Sequence, residues 1–319
     1  MPTLSVEQFL ADKAALLDLE VLVGDVARSR AIEAPSISSP GLILSGFNDR
    51  APRGRLQVLG ETEVAFLRSL EDGDLEQALG RLFDLQMPAV VITKGQSVPD
   101  RLLEAAVERN VPVLRTSLKT GDFYRRLQPY LEGAFAPAVT LHGSMADVYG
   151  VGLMVVGRSG IGKSECVLDL VERGHRLVAD DLVYASKRGN DVLIARGHEL
   201  QRHHMEIRGI GIIDIPALFG IRSIRQQKRI EVMVRLVDWN ERDTYERTGL
   251  ETEQVEILGV PIPQVTIPLN PGKNITVISE VIAMNHLLKY SGVHAAERFN
   301  ESLQAAMRPV RDYLEEDYE

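Results

Sequence analysis

The sequence predicts an α/β protein in two domains, an N-terminal α/β domain over residues 1–134 and a C-terminal domain over 135–319 built on a glycine-rich strand, loop and helix unit. Three observations carry this. Short apolar runs alternate with helix-like segments through the first half, the pattern of a parallel or mostly parallel sheet covered by helices. The helical pattern breaks at Glu132-Gly133-Ala134-Phe135-Ala136-Pro137, where glycine and proline supply the punctuation of a domain boundary. Residues 157 to 164 then read Gly-Arg-Ser-Gly-Ile-Gly-Lys-Ser, which fits G-x-x-x-x-G-K-[ST] at every fixed position.

In the first half, Val21 to Val23, Leu42 to Leu44, Val90 to Thr93 and Val111 to Leu114 have the apolar character of strands. Glu61 to Leu70, Leu75 to Leu85, Pro99 to Arg109 and Gly121 to Leu131 have helical spacing, with Pro99 suited to a first turn and Asn110 to a stop. The run from Ala34 to Gly41 reads as a connecting loop, and Thr93-Lys94-Gly95 as a solvated strand end. No metal cluster, nucleophile signature or internal repeat is visible in this half, which reads as regulatory, architectural or oligomer-forming.

Composition narrows the class. The 319 residues give length for two ordinary cores, and 45% apolar with 25% charged residues are globular averages. A formal charge of −9 argues against a nucleic-acid partner, because phosphate backbones are bound by accumulated Lys and Arg. The one cysteine, Cys166, excludes an intrachain disulfide framework and reads as a small core residue on the helix after the loop. Apolar runs are too short to span a bilayer, and Glu7 and Asp12 interrupt the N-terminus where a signal sequence would be apolar. The expectation is a cytoplasmic protein with no membrane partner.

The loop is the chemical centre of the second half. It lies between the apolar run Leu153 to Val156 and a helix-spaced segment from Glu165 to Arg173. Glycines let several backbone N–H groups point at one spot, and the helix adds its partial positive end. Gly157, Arg158, Ser159, Gly160, Ile161, Gly162, Lys163 and Ser164 are therefore the predicted polyphosphate seat, with Lys163 for the outer phosphates and the Ser164 hydroxyl for Mg²⁺.

Around it lie further candidates. Ala138 to Leu141 reads as a strand ending at His142-Gly143-Ser144, and Asp147 to Gly150 as the turn into the strand that feeds the loop. His142 alone is either a structural histidine or one poised to answer charge changes. Gly174 stops the helix, and Arg176 to Ala179 leads into Asp180-Asp181, a pair suited to metal coordination or proton transfer. Neighbours on a strand face opposite ways, so one of the two is expected to meet the phosphates. A hairpin follows from Tyr184 to Ile194, and His203-His204 reads as polar surface because adjacent residues do not share a face. In Met205 to Asp214, Glu206 is either ion-paired with an arginine or an Mg²⁺ ligand. The charged run Asp238 to Arg247 reads as a solvated excursion, and Ile267 to Asn274 as a stiff turn with Lys273 at its tip. Ser279 is the expected cap of a helix running to Tyr290, and Ala295 to Leu314 reads as the last helix.

The chain resembles the bacterial HPr kinase/phosphorylase family over nearly its full length. The residues that carry this are Gly157 to Glu165, Gly-His-Arg-Leu-Val-Ala-Asp-Asp at Gly174 to Asp181, and Glu-Ile-Arg-Gly-Ile-Gly-Ile-Ile-Asp at Glu206 to Asp214. The resemblance implies a C-terminal P-loop kinase domain akin to phosphoenolpyruvate carboxykinase. It implies an enzyme that uses ATP or pyrophosphate, with Mg²⁺, to phosphorylate a regulatory serine of the phosphocarrier HPr. The same enzyme would remove that phosphate with inorganic phosphate, giving pyrophosphate, in the control of carbon metabolism and carbon catabolite repression.

It further implies a homohexamer. It makes His142, Lys163, Asp181 and Arg247 catalytic, with Asp181 the proton acceptor, Ser164 and Glu206 the metal ligands, and Met205 to Asp214 a segment used in both directions. The family's late segment usually reads Pro-x-Arg-Pro-Gly-Arg. Here Pro268-Leu269-Asn270-Pro271-Gly272-Lys273 carries asparagine and lysine, and lysine lacks the planar fork with which arginine grips an oxyanion. That segment is linked to phosphorolysis. The alternatives on residues alone are a non-catalytic nucleotide sensor and a small-molecule P-loop kinase.

Overall fold

The computed structural model describes residues 3–24, 29–47, 53–198, 201–240, 253–270 and 272–316, with side chains to residue 307. The chain forms two compact units, Met1–Ala136 and Pro137–Glu319. Arg247 and Pro271 lie outside the described residues.

In the first unit the elements are β1 (Leu4–Ser5), α1 (Val6–Lys13), β2 (Leu19–Val23), β3 (Ala31–Ile32), α2 (Gly41–Leu44) and β4 (Gln57–Leu59). They continue with α3 (Glu61–Ser69), α4 (Asp72–Phe83), β5 (Val90–Ile92), α5 (Asp100–Glu108), β6 (Val113–Thr116) and α6 (Thr120–Ala134). The main sheet has the order β2-β6-β5-β4, with β4, β5 and β6 parallel and β2 antiparallel at the edge. Its two faces are separately packed. Leu59, Val90 and Ile92 join the helices α3, α4 and α5, while Val58, Val91 and Leu114 join Phe9, Phe123 and Leu127. Burial on both faces is what a parallel sheet needs.

Leu42 to Leu44 is a correction, since it forms a short helix where a strand is expected. A brief apolar run does not separate the two by periodicity, and here the Pro40 carbonyl accepts the Leu44 N–H at 2.9 Å to close a helical turn.

The second unit begins with β7 (Ala138–His142), β8 (Ser144–Val148), β9 (Val151–Val156), α7 (Lys163–Glu172) and β10 (Arg176–Ala179). Next come β11 (Leu182–Arg188), β12 (Val192–Gly197), β13 (His204–Ile207), β14 (Gly211–Asp214), α8 (Ile215–Phe219) and β15 (Lys228–Arg229). It ends with β16 (Val232–Asp238), β17 (Glu253–Ile257), β18 (Val260–Leu269), α9 (Ile275–Tyr290) and α10 (Ala295–Glu316). The larger sheet has the order β10-β8-β9-β16-β18-β17, with β9, β16 and β18 parallel. A second sheet, β15-β12-β11-β7, is antiparallel. Helices α7 and α9 cover one face of the larger sheet, where Val167, Leu170 and Ala283 pack with Leu153, Val155 and Val234.

Three expectations change here. Of the segment read as a turn, Asp147 and Val148 end the buried strand β8, and only Tyr149 and Gly150 make the turn into β9, both at positive φ as a two-residue hairpin turn requires. Ser279 does not cap α9. Asn274 does, accepting the Val277 N–H at 3.0 Å, and Ser279 is buried inside the helix. Ile267 to Leu269, expected in a turn, completes β18. Pro268 is tolerated there because β17 pairs only with residues 260 to 264, so its missing N–H faces an unpaired edge.

Candidate active site

The loop between β9 and α7 is shaped by its glycines. Gly160 and Gly162 hold φ of 75° and 102°, which only glycine adopts without strain, and Gly162 leads directly into α7 at Lys163. The N-terminus of α7 has no side-chain cap, and helix starts of this kind, with glycine-loop amides before them, suit an anion. Lys163 Nζ donates to the carbonyls of Gly157 (3.2 Å) and Arg158 (3.1 Å), so the ammonium rests on the loop itself. Ile161 is the loop's apolar anchor, buried in the core with Cys166 and Val167. Burial pushes the Cys166 thiol up to about 11, as befits a core residue.

The two aspartates separate, although not by strand alternation. β10 ends at Ala179 and β11 starts at Leu182, and the turn between them puts Asp181 at φ 62°. Asp180 turns inward and is buried, while Asp181 is exposed. The Asp180 carboxylate accepts from Ser144 Oγ at 2.5 Å, from Ser164 Oγ at 2.9 Å, and from the backbone N–H groups of Asp181 and Glu206. Burial raises its pKa, and these four donors oppose that rise. One carboxylate thus ties the loop serine, the start of β8 and the β13 strand of Glu206 together.

His142 ends β7 opposite Leu182, and the Gly143 N–H donates to the Asp181 carbonyl at 3.0 Å, which brings His142 beside Asp181. A Cβ on Gly143 would lie 2.5 Å from the Val155 carbonyl, so only glycine lets this strand end approach β9 just before the loop. Glu206 is exposed on β13 and forms no ion pair among the described residues, so the arginine-paired alternative finds no partner there. Arg158 reaches across to the end of β16 in a bidentate pair with Asp238, at 2.6 and 2.8 Å, and this fork holds the Asp238 carboxyl below the usual range. Asn270 and Lys273 lie just beyond β18, where Lys273 Nζ donates to the Pro268 carbonyl at 2.7 Å.

The family model described as the HPr Serine kinase N terminus matches residues 4–131, and that described as the HPr Serine kinase C-terminal domain matches residues 133–303. An HPr kinase/phosphorylase of Prosthecochloris aestuarii is 47% identical over 302 residues, covering 92% of this chain and 88% of its own length. The chain belongs to the HPr kinase/phosphorylase family. A Bacillus cereus relative of the same name is 41% identical over 289 residues, covering 91% of this chain and 94% of its own. A solved Hpr(Ser) kinase/phosphatase from Coxiella burnetii is 33% identical, covering 51% of this chain and 99% of its own, with a TM-score of 0.45.

Four residues near the loop of this HPr kinase/phosphorylase family member, Ser144, Asp180, Arg208 and Asp238, were named from sequence only within larger readings, Asp180 in the Asp180-Asp181 pair and Arg208 in the Met205 to Asp214 segment. The individual contacts of Ser144, Arg208 and Asp238 had no sequence signal, because they span 36, 49 and 80 residues.

Proposed function

We propose that this chain is a bifunctional protein-serine kinase and phosphorylase acting on HPr, with ATP or pyrophosphate as phosphoryl donor. Family membership supports the reaction class, and the observation that carries the reading to this chain's own residues is the Asp180 carboxylate joining Ser164, Ser144 and the Glu206 backbone at the rim of the loop. A sensor needs a nucleotide seat only. This chain adds an exposed carboxylate, Asp181, and a histidine, His142, beside it.

In the forward direction the loop amides and Lys163 hold the polyphosphate of ATP, and the terminal phosphorus faces the HPr serine. Asp181 accepts the hydroxyl proton as the serine oxygen bonds to phosphorus and the bond to the β-phosphate oxygen breaks, leaving ADP. Most of the acceleration is positioning and charge neutralisation, with the base adding about two to four powers of ten. In reverse, an oxygen of inorganic phosphate attacks the phosphoserine phosphorus, the serine O–P bond breaks, Asp181 returns its proton to the departing serine oxygen, and the new P–O bond makes pyrophosphate. His142 and Arg247 are assigned as partners of the transferring group. The oxygen donors Ser164, Asp180 and Glu206 suit a hard cation; Ser164 and Glu206 would hold Mg²⁺, which supplies neutralising charge at the phosphate oxygens when bound.

The first unit is assigned a regulatory or architectural role. The resemblance implies a homohexamer, and α9 offers apolar surface for a subunit contact: Ile278, Ile282 and Ala283 face the core, while Val281, Met284 and Leu288 are exposed. A helix apolar all round belongs in an interior. Asp181→Asn tests the mechanism. It is expected to abolish transfer to HPr and phosphorolysis while nucleotide binding persists, and near-normal turnover would overturn the assignment.

A further inference from the structure

Two arginines bear on the loop, and they differ. Arg158 is committed to Asp238 through a bidentate pair. Arg208 forms no ion pair among the described residues, and its guanidinium sits directly on the phosphate loop. Nη2 donates to Ser159 Oγ at 3.2 Å, and Nη1 lies 2.6 Å from where a Cβ on Gly160 would be.

The placement is built by the β13–β14 hairpin. Met205 and Ile207 are buried in the same core as Ile161, Cys166 and Val167, so the root of the hairpin is fixed against the base of the loop. Ile207 pairs with Gly211, and the intervening Arg208-Gly209-Ile210 turn closes through the Ile210 N–H to the Ile207 carbonyl at 3.0 Å. Gly209 and Gly211 hold φ of 84° and 102°, letting the chain reverse with Arg208 at its tip. A rigid turn thus carries an arginine to the loop. Lys163 rests on Gly157 and Arg158, and Arg208 on Ser159 and Gly160, so two cations share one four-residue segment.

We propose that Arg208 binds the outermost phosphate group in the seat, the terminal phosphoryl of ATP or one end of pyrophosphate. A guanidinium presents five donors in a planar fork that matches two phosphate oxygens at once, whereas Lys163 is a point charge. Arg208 therefore discriminates a nucleoside triphosphate from a diphosphate, and it acts in both directions because both place a phosphoryl group at that end of the seat. The inference rests on reading the loop as a polyphosphate seat.

The test is calorimetric binding of ATP, ADP and pyrophosphate, with Mg²⁺, to the full chain without HPr. Arg208→Gln keeps a donor for Ser159 and removes the charge and fork, Arg208→Lys keeps the charge alone, and Ser159→Ala removes the hydroxyl that Arg208 touches, at a position within the seat itself. Arg208→Gln is expected to weaken ATP and pyrophosphate about ten-fold or more and ADP by less than about three-fold, with Arg208→Lys intermediate. Ser159→Ala is expected to keep the wild-type ratio of ATP to ADP affinity. Equal weakening of ATP and ADP by both Arg208 variants would make Arg208 a structural pin and overturn the proposal, as would no change in any affinity. Melting temperatures of the variants confirm folding, and Arg208→Lys serves where Arg208→Gln melts early. Failure of HPr phosphorylation by the wild-type chain, with the affinity pattern intact, would remove the HPr reading and leave this inference standing.

Discussion

The two units contain the same device put to different ends. Each has three parallel strands, and the carboxyl ends of β4, β5 and β6 in the first and of β9 and β18 in the second lead to helix starts, the place where open α/β sheets bind ligands. In the first unit the chain satisfies that edge itself. β4 runs through Gly60 into α3, and the Glu63 carboxylate accepts the Gly60 N–H at 2.9 Å. Lys94 pairs with Glu61, and Arg125 with Asp122, around the same shallow cavity of about 670 Å³. In the second unit β9 runs into the glycine loop, and neither Lys163 nor Arg208 is paired with a carboxylate among the described residues. The proposed seat differs from the first unit's edge in keeping Lys163 and Arg208 clear of the chain's own carboxylates, while Arg158 of the same loop is held by Asp238.

Removing the seat's own charge should break the contrast most. Lys163→Ala is expected to lower phosphotransfer to HPr by about three powers of ten or more, since charge placed on the transferring group carries most of the catalysis. A steady-state assay at saturating ATP checks this, and a loss under ten-fold would show that the loop amides suffice. Asp180→Asn should come next, with a fall of about a hundred-fold, because the amide cannot accept from Ser144, Ser164 and two backbone N–H groups as a carboxylate does. Its stability should fall as well, by about 1–3 kcal/mol, because buried donors are left without their acceptor.

How far these sites were legible in the sequence follows from their locality. The loop was readable because all its fixed residues are contiguous and its geometry is local, as were most helices, whose caps and stops are near neighbours. The division of Asp180 from Asp181 was not, because the left-handed turn at Asp181 sets it, while strand alternation was the only rule available. The Ser279 and Leu42–Leu44 expectations failed where two local signals competed: Asn274 begins α9 one turn earlier, and the Pro40 carbonyl closes a helical turn on a run that also suits a strand. Arg208 on Ser159 depends on a hairpin fixed by distant core contacts, which no spacing rule reports.

Smaller effects sharpen the contrast by testing acids that serve structure. Glu280 on α9 is buried between Arg173 and His175, and the Arg173 fork chiefly holds its carboxyl below the ordinary range. Its contribution is therefore present above the ordinary carboxylate pKa of about 4.3 and lost as pH falls through the lowered value. Glu280→Gln should cost about 2 kcal/mol near neutral pH and flatten that acid dependence, measured by urea unfolding across the acid range. Glu63→Gln at the start of α3 should cost only about 0.5 kcal/mol and leave ATP affinity unchanged. A change in ATP affinity there would mean that the first unit's edge takes part in nucleotide binding.

The most direct measurement follows one phosphate in both directions. The chain, HPr, Mg²⁺ and ATP labelled at its terminal phosphate are incubated until the HPr serine is labelled. ATP is then removed and inorganic phosphate added. A single reversible seat predicts label on the serine, followed by its release as pyrophosphate, with both steps absent in Asp181→Asn. Clean ATP binding with no label on HPr, or loss of the label as free phosphate alone, would contradict it.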